Sequence, residues 1–256
     1  MTRLRGSRGG VAPSPEGWQG MRPLQQRRAF VTGASSGIGA ATGRMLVEAG
    51  ARVALVARNG EGLADVARRL DGRATSHACD VRDERQVARA VRDAAEAMGG
   101  IDLVVPAAGL GRFAAVEDTP PDEWREILDT NLTGTFLVFR ETLPHVRRAR
   151  GHLFAIASIA ATRPFAQSAA YSASKAGVRA LAAVVAEEVR REGVRVTTII
   201  PGAVDTPFWD RAGGTELDRS RMLRPDDVAR AILRAAAEPE TTSIDEIVVM
   251  PAEGVL

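Results

Sequence analysis

Seven short runs, most of them continuously apolar, punctuate the chain. They are RAFVT (28–32), ARVALVAR (51–58), ATSHACDV (74–81), IDLVVPAAG (101–109), HLFAIAS (152–158), VRVTTIIP (194–201) and IDEIVVM (244–250). Strands that are apolar along their whole length are buried on both faces, which is the habit of parallel sheets. The stretches between them have helical character: 37–50, 60–70, 83–98, a long helix opening at TPPDEW, 168–192 and 225–237. At TPPDEW, Thr119 is suited to cap, Pro120 to the first helical position and Asp122 to the positive end of the helix. Strands alternating with helices predict an α/β fold, a doubly wound parallel β-sheet flanked by helices on both faces. Ligands of such a sheet bind beyond the carboxyl ends of its strands.

The composition agrees with one domain. With 256 residues, 45% hydrophobic and 26% charged, the chain can bury one sizeable core. The pI of about 9.3 suggests a nucleic-acid partner, but the charge is poorly distributed for one. Residues 1–28 hold six arginines against Glu16, a net of +5, which leaves the remainder at −3 of the overall +2. We therefore expect residues 1–27 to be a flexible basic leader, rich in Gly, Pro and Ser, and 28–256 a single dinucleotide-binding catalytic domain with no nucleic-acid partner. No apolar run has membrane-spanning length, so no membrane partner is expected. The single cysteine, Cys79, fits a reducing compartment and a cytoplasmic location. The three histidines show no ligand spacing with each other or with Cys79, so no metal site is expected.

The chemistry gathers at two motifs. TGASSGIG (Thr32–Gly39) lies between the first strand and the first helix. Gly33, Gly37 and Gly39 let backbone approach a pyrophosphate, and the N–H groups of the helix start face it. The spacing is neither G-x-G-x-x-G nor a P-loop. About twenty residues on, where an acid would accept the ribose 2′-hydroxyl of NAD, the chain has Ala57 and Arg58. With no carboxylate to repel a 2′-phosphate and a guanidinium to pair with it, the expected cofactor is NADP (NADPH). The second motif is YSASK (171–175). One of the 34 basic residues is lysine, the other 33 being arginine, and that lysine, Lys175, stands four residues after the only tyrosine, Tyr171. On a helix this spacing sets both side chains on one face, where a cation would lower the phenol's pKa and make it a general acid and base.

Together, TGASSGIG, YSASK and a serine, Ser158, thirteen residues before the tyrosine resemble the short-chain dehydrogenase/reductase family, of the single-domain Rossmann-like kind. The likeness runs from about residue 28 to the C-terminus. It implies that Tyr171 is the proton donor and acceptor, that Lys175 depresses its pKa and binds the nicotinamide ribose, and that Ser158 polarises the substrate carbonyl. Asn131 resembles the fourth catalytic residue of the family, which holds a water in the proton relay. Consistent with that, Asn131, Thr133 and Gly134 are poor helix formers inside a helical segment. The cofactor set implied is Gly33, Ser35, Ser36, Gly37, Ile38, Gly39, Arg58, the adenine-contacting pair Asp80 and Val81, Ala108 and Gly109, Tyr171, Lys175, Pro201 and Gly202, and Thr206 at the carboxamide.

One motif departs. Where the family has NNAG after the fourth strand, this chain has PAAG (106–109), so backbone groups must replace two asparagine side chains. The expected reaction interconverts a carbonyl compound, ketone or 3-oxoacyl, and a secondary alcohol. A non-catalytic NADP sensor is the alternative. Substrate walls are expected from residues 203–223, Phe208 and Trp209 included, and from segments near Leu110 and Phe165, with Gly213-Gly214 a hinge. Apolar faces on the helices at 119–145 and 168–192 suggest a homodimer or homotetramer.

Overall fold

The computed structural model describes residues 24–70, 72–213 and 218–254. Within them, β1 (Arg28–Thr32), β2 (Arg52–Ala57), β3 (Ala74–Ala78), β4 (Leu103–Pro106), β5 (His152–Ile156), β6 (Arg195–Pro201) and β7 (Glu246–Val249) form one sheet in the order β3-β2-β1-β4-β5-β6-β7. All the pairings are parallel. The order reverses beside β1, which opens a crevice between the ends of β1 and β4.

Side chains alternate between two cores, one on each face. Ala29, Val31, Leu55, Val105 and Phe154 point into one, covered by α1 (Gly37–Glu48), α2 (Gly60–Arg68) and α8 (Pro225–Ala237). Phe30, Val56, Val104, Leu153 and Ala155 point into the other, covered by α3 (Glu84–Met98), α5 (Gly134–Ala149) and α6 (Ala169–Val189). Leu24 is buried in the first core, and its N–H donates to the Ala49 carbonyl. Leu24, counted with the expected leader, is thus packed in the fold, while residues 1–23 of that leader lie outside the described residues. At the opposite end of the sheet from the crevice, Arg28 forks onto Asp102 (2.7 and 2.8 Å) and fastens β1 to β4.

The long helix differs in two ways from the expected one. Its cap is Pro120 and its first residue Pro121, because the Thr119 hydroxyl donates instead to the Ala115 carbonyl (2.8 Å). It is also not one α-helix: α4 (Pro121–Leu128) passes into a single π turn, Asp129–Thr133, before α5. Such π bulges recur at functional sites. Helix 168–192 ends earlier as α6 and continues as a 3₁₀ turn, Arg190–Glu192.

His152 opens β5 fully buried, its ring stacked on Phe154 (4.1 Å between centroids) and its Nε2 bonded to the Thr197 hydroxyl (2.7 Å). Nδ1 has no partner. Burial, then Arg195 and Arg27, hold the imidazole well below its ordinary value, so it is neutral in the fold. An unfolded chain takes up that proton below about pH 6.5. The stability this histidine contributes is therefore complete above that pH and is lost as pH falls below it, by at most about 1.4 kcal/mol per unit. We predict that Tm falls between pH 7 and 5, and that His152→Leu flattens this slope. Parallel Tm profiles of the two proteins would refute the assignment.

Candidate active site

The turn after β1 is shaped by what cannot fit there. Gly33 has φ +64°, and a Cβ on it would lie 2.6 Å from the Ala108 nitrogen, so the turn is pressed against the one after β4. A Cβ on Gly39 would strike the Gly33 carbonyl. Gly37 has φ +53°, and a Cβ on it would lie 3.1 Å from the Thr206 side chain, with Ser35 and Ser36 beside it and Ile38 packed on the core. Ser36 begins α1 without a side-chain cap, and the first turn holds no acid. Open N–H groups, a positive helix end and glycine backbone fit a pyrophosphate.

Arg58 follows β2, exposed and without a hydrogen bond or ion pair among the described residues. Asp80 lies beyond β3, its carboxylate gripped by Arg82 (2.6 Å) and thereby held below the ordinary carboxylate range. Val81 is buried against Gly134. Pro201 ends β6, and the Gly202 N–H donates to the Val249 carbonyl (2.8 Å).

The loss of NNAG is made good locally. The Ala108 N–H donates to the Thr32 hydroxyl (3.3 Å), and the following residues are held from the π turn. Asn131 Oδ1 accepts the Leu110 N–H, while its Nδ2 donates to the Leu110 carbonyl and to Ser174 Oγ, each at 2.9 Å. One buried amide thus joins the β4 turn to α6. The amide is thus largely committed to positioning, and the Asn131 backbone carbonyl accepts from Thr135 Oγ1 (2.7 Å). The remaining lone pair of Oδ1 borders the space beside Gly109, as does Lys175 Nζ.

Ser158 stands just past β5, buried, its Oγ accepting the Ala160 N–H (3.2 Å). Tyr171 and Lys175 sit one turn apart on α6, with Nζ 5.8 Å from the phenol ring centre. Nζ donates to the Ile156 carbonyl (2.8 Å). The expectation that lysine depresses the phenol's pKa is not met in the protein alone. Burial raises Tyr171, Ser158 opposing, and burial pushes Lys175 down to about 8. The reason is desolvation, which weakens the very charge that was to act.

Three contributors escaped the sequence reading. Phe113 lies 6.0 Å from Tyr171 and 5.9 Å from Trp209, between ring centres. Ser174 is a partner of Asn131, and Arg219 grips the 205–210 segment. The wall expected near Leu110 was the only signal for Phe113, while Ser174 and Arg219 stood unmarked within YSASK and residues 203–223. Gly214, half of the expected hinge, lies outside the described residues.

A sequence model of the family described as short chain dehydrogenase matches residues 27–216. The chain belongs to that family. An uncharacterised oxidoreductase of Staphylococcus epidermidis is 32% identical over 90% of this chain and 100% of its own. A metagenomic short-chain oxidoreductase solved with NADP is 35% identical, with a TM-score of 0.79 over 90% of this chain and 99% of that one. The 3-ketoacyl-(acyl-carrier-protein) reductase of Brucella melitensis, solved with NADH, is 27% identical, with a TM-score of 0.83 over 90% and 98%. Membership of this family accounts for the fold, and both of these solved relatives hold a nicotinamide dinucleotide.

The Asn131 clamp carries a prediction about stability. Asn131→Ala strands a buried N–H, a carbonyl and a hydroxyl, and should cost about 2–4 kcal/mol, or roughly 5–15 °C in Tm for a chain of this size. Thermal denaturation of the cofactor-free variant measures it, and an unchanged Tm would remove the clamp from the account.

Proposed function

We propose that the protein is an NADP-dependent oxidoreductase that interconverts a carbonyl compound and a secondary alcohol, with Tyr171 as the proton donor. The observation that carries this reading is the convergence of Ser158, Tyr171, Lys175 and Asn131 beside a glycine cradle at the carboxyl ends of β1, β4 and β5. NADPH, when bound, supplies the hydride.

The chain's own residues do the rest. Raised by burial, Tyr171 stays protonated at neutral pH and can give its proton to a carbonyl oxygen. Ser158 Oγ accepts the Ala160 N–H and keeps a hydrogen of its own, beside Tyr171, to donate to the oxygen that gains charge. With one donor on Ile156 and a pKa of about 8, Lys175 can hold or release a proton near neutral pH, so it can restore the phenol from the space beside Gly109. In this reading Asn131 sets the distance between that space and α6. Gly33, Ser35, Ser36, Gly37, Ile38 and Gly39 hold the pyrophosphate, Arg58 the 2′-phosphate, Asp80 and Val81 the adenine, Ala108 and Gly109 the middle of the dinucleotide, and Pro201, Gly202 and Thr206 the nicotinamide. The unengaged Arg58 guanidinium supports NADP over NAD.

The same reading includes a homo-oligomer. Phe136 on α5 and Val184 on α6 are 44% and 57% exposed on neighbouring helices, an apolar face that a second copy would cover. Among the described residues no helix is long and apolar enough to cross a membrane. The buried single cysteine suits a reducing compartment, and we place the enzyme in the cytoplasm.

Two measurements test this reading. Tyr171→Phe should lower kcat by about a hundredfold to ten-thousandfold in NADPH consumption assays over ketones and 3-oxo esters, with the Kd for NADPH unchanged. A fully active variant would overturn the assignment. In fluorescence titrations Arg58→Ala should raise the Kd for NADPH about tenfold or more and leave that for NADH where it was. Equal losses for both cofactors would deny Arg58 its phosphate.

A further inference from the structure

The segment after β6 has little to hold it in place by itself. It contains α7 (Trp209–Ala212), a four-residue helix far too short to stand alone, whose start carries no side-chain cap. Yet it presents two rings to the reaction site. Phe208 lies 5.4 Å from the Tyr171 ring and 5.2 Å from Trp209, and Trp209 is stacked on Phe113 at 10°. Beneath them a Cβ on Gly111 would fall 2.6 Å from Phe208 Cζ, so the floor at that point is bare backbone.

One side chain gathers this segment from across the loop. Arg219 Nε donates to Asp205 Oδ1 (2.6 Å), Nη1 to Asp210 Oδ1 (2.7 Å) and Nη2 to the Thr206 carbonyl (2.9 Å). The arginine is itself seated in a 3₁₀ turn, Arg219–Arg221, whose cap Asp218 accepts the Ser220 N–H and hydroxyl. Trp209 Nε1 on the Val204 carbonyl and the Phe113 N–H on the Ala212 carbonyl are the complementary ties. Each ion pair is half-exposed and weak alone. Three acceptors in different directions on one planar fork constrain more than their sum, and an ammonium cannot reproduce that geometry.

We infer that Arg219 is a positioning residue that latches Asp205–Ala212, so that Phe208 and Trp209 stand as a fixed wall beside Tyr171 and select carbonyl compounds bearing a flat apolar group, an aryl ketone rather than a small aliphatic one. The latch is a property of the chain. The selection rests on the carbonyl-reducing function proposed above. Aromatic faces and edges at these separations accept another ring in tilted or offset contact.

The test uses Arg219→Ala, Arg219→Lys and, as a milder cut, Asp210→Asn, each checked for an unchanged circular dichroism spectrum. In cofactor-free protein, hydrogen exchange at the amides of 206–212 should quicken in both arginine variants and less in Asp210→Asn. With NADPH, wild type should favour acetophenone over 2-butanone. Both arginine variants should raise KM for acetophenone about tenfold at near-constant kcat, while 2-butanone stays within about twofold. Unchanged exchange, full rescue by lysine, or equal losses for both ketones would each overturn the inference. A wild type that consumes no NADPH overturns the proposed function and the selection with it, while the exchange rates still decide the latch.

Discussion

Because every described strand runs the same way, each connection must cross over the sheet, and the helices that cross supply most of the cover of its two faces. The rest of the molecule depends on this. It demands strands without a polar side, and it sends the chain outward from β1 in both directions, which leaves the crevice where the order reverses. Every functional group named above arrives there from the carboxyl end of a strand or the helix after it. The Gly33 turn fits only because it has no side chain to push the β4 turn away. Site and scaffold are therefore one packing problem.

Within the crevice the contest is between desolvation and charge. Moving Lys175 from its ordinary 10.5 to about 8 means that burial favours the neutral amine by roughly 3 kcal/mol relative to water. No acid offsets this among the causes of the shift, and a carbonyl at the end of β5 is its hydrogen-bonded partner. Tyr171 feels the same burial with the opposite sign. The two groups are thus driven apart in pKa, the phenol upward and the amine down to about 8, so a proton held by the amine passes downhill to the phenolate.

Much of this could be read from the residues. The apolar runs gave the five inner strands, since burial on both faces leaves a mark on nearly every residue, while the edge strands β3 and β7 are only partly buried; the spacing of Tyr171 and Lys175 gave the pair because a helix converts four residues into one face. The weak helix formers at 131–134 marked a disturbance without revealing its form: whether such a stretch kinks, frays or widens into a π turn depends on Leu110 and Ser174, which meet Asn131 only in the folded chain. The choice between Thr119 and Pro120 as cap was lost to a hydroxyl that prefers the Ala115 carbonyl. Arg219 was invisible for the same reason. One arginine among 33 has no local mark, and its partners are set by the return of the loop.

The replacement of lysine by arginine everywhere outside the site has a chemical consequence. The chain has one lysine side chain, and it is 6% exposed with its nitrogen already bonded. Reagents that acylate amines or condense with them to imines find no lysine on the described surface, which is a guanidinium surface throughout. Toward simple ketones and aldehydes these guanidinium groups form no Schiff bases, so the described surface is spared the imine adducts that lysines accumulate.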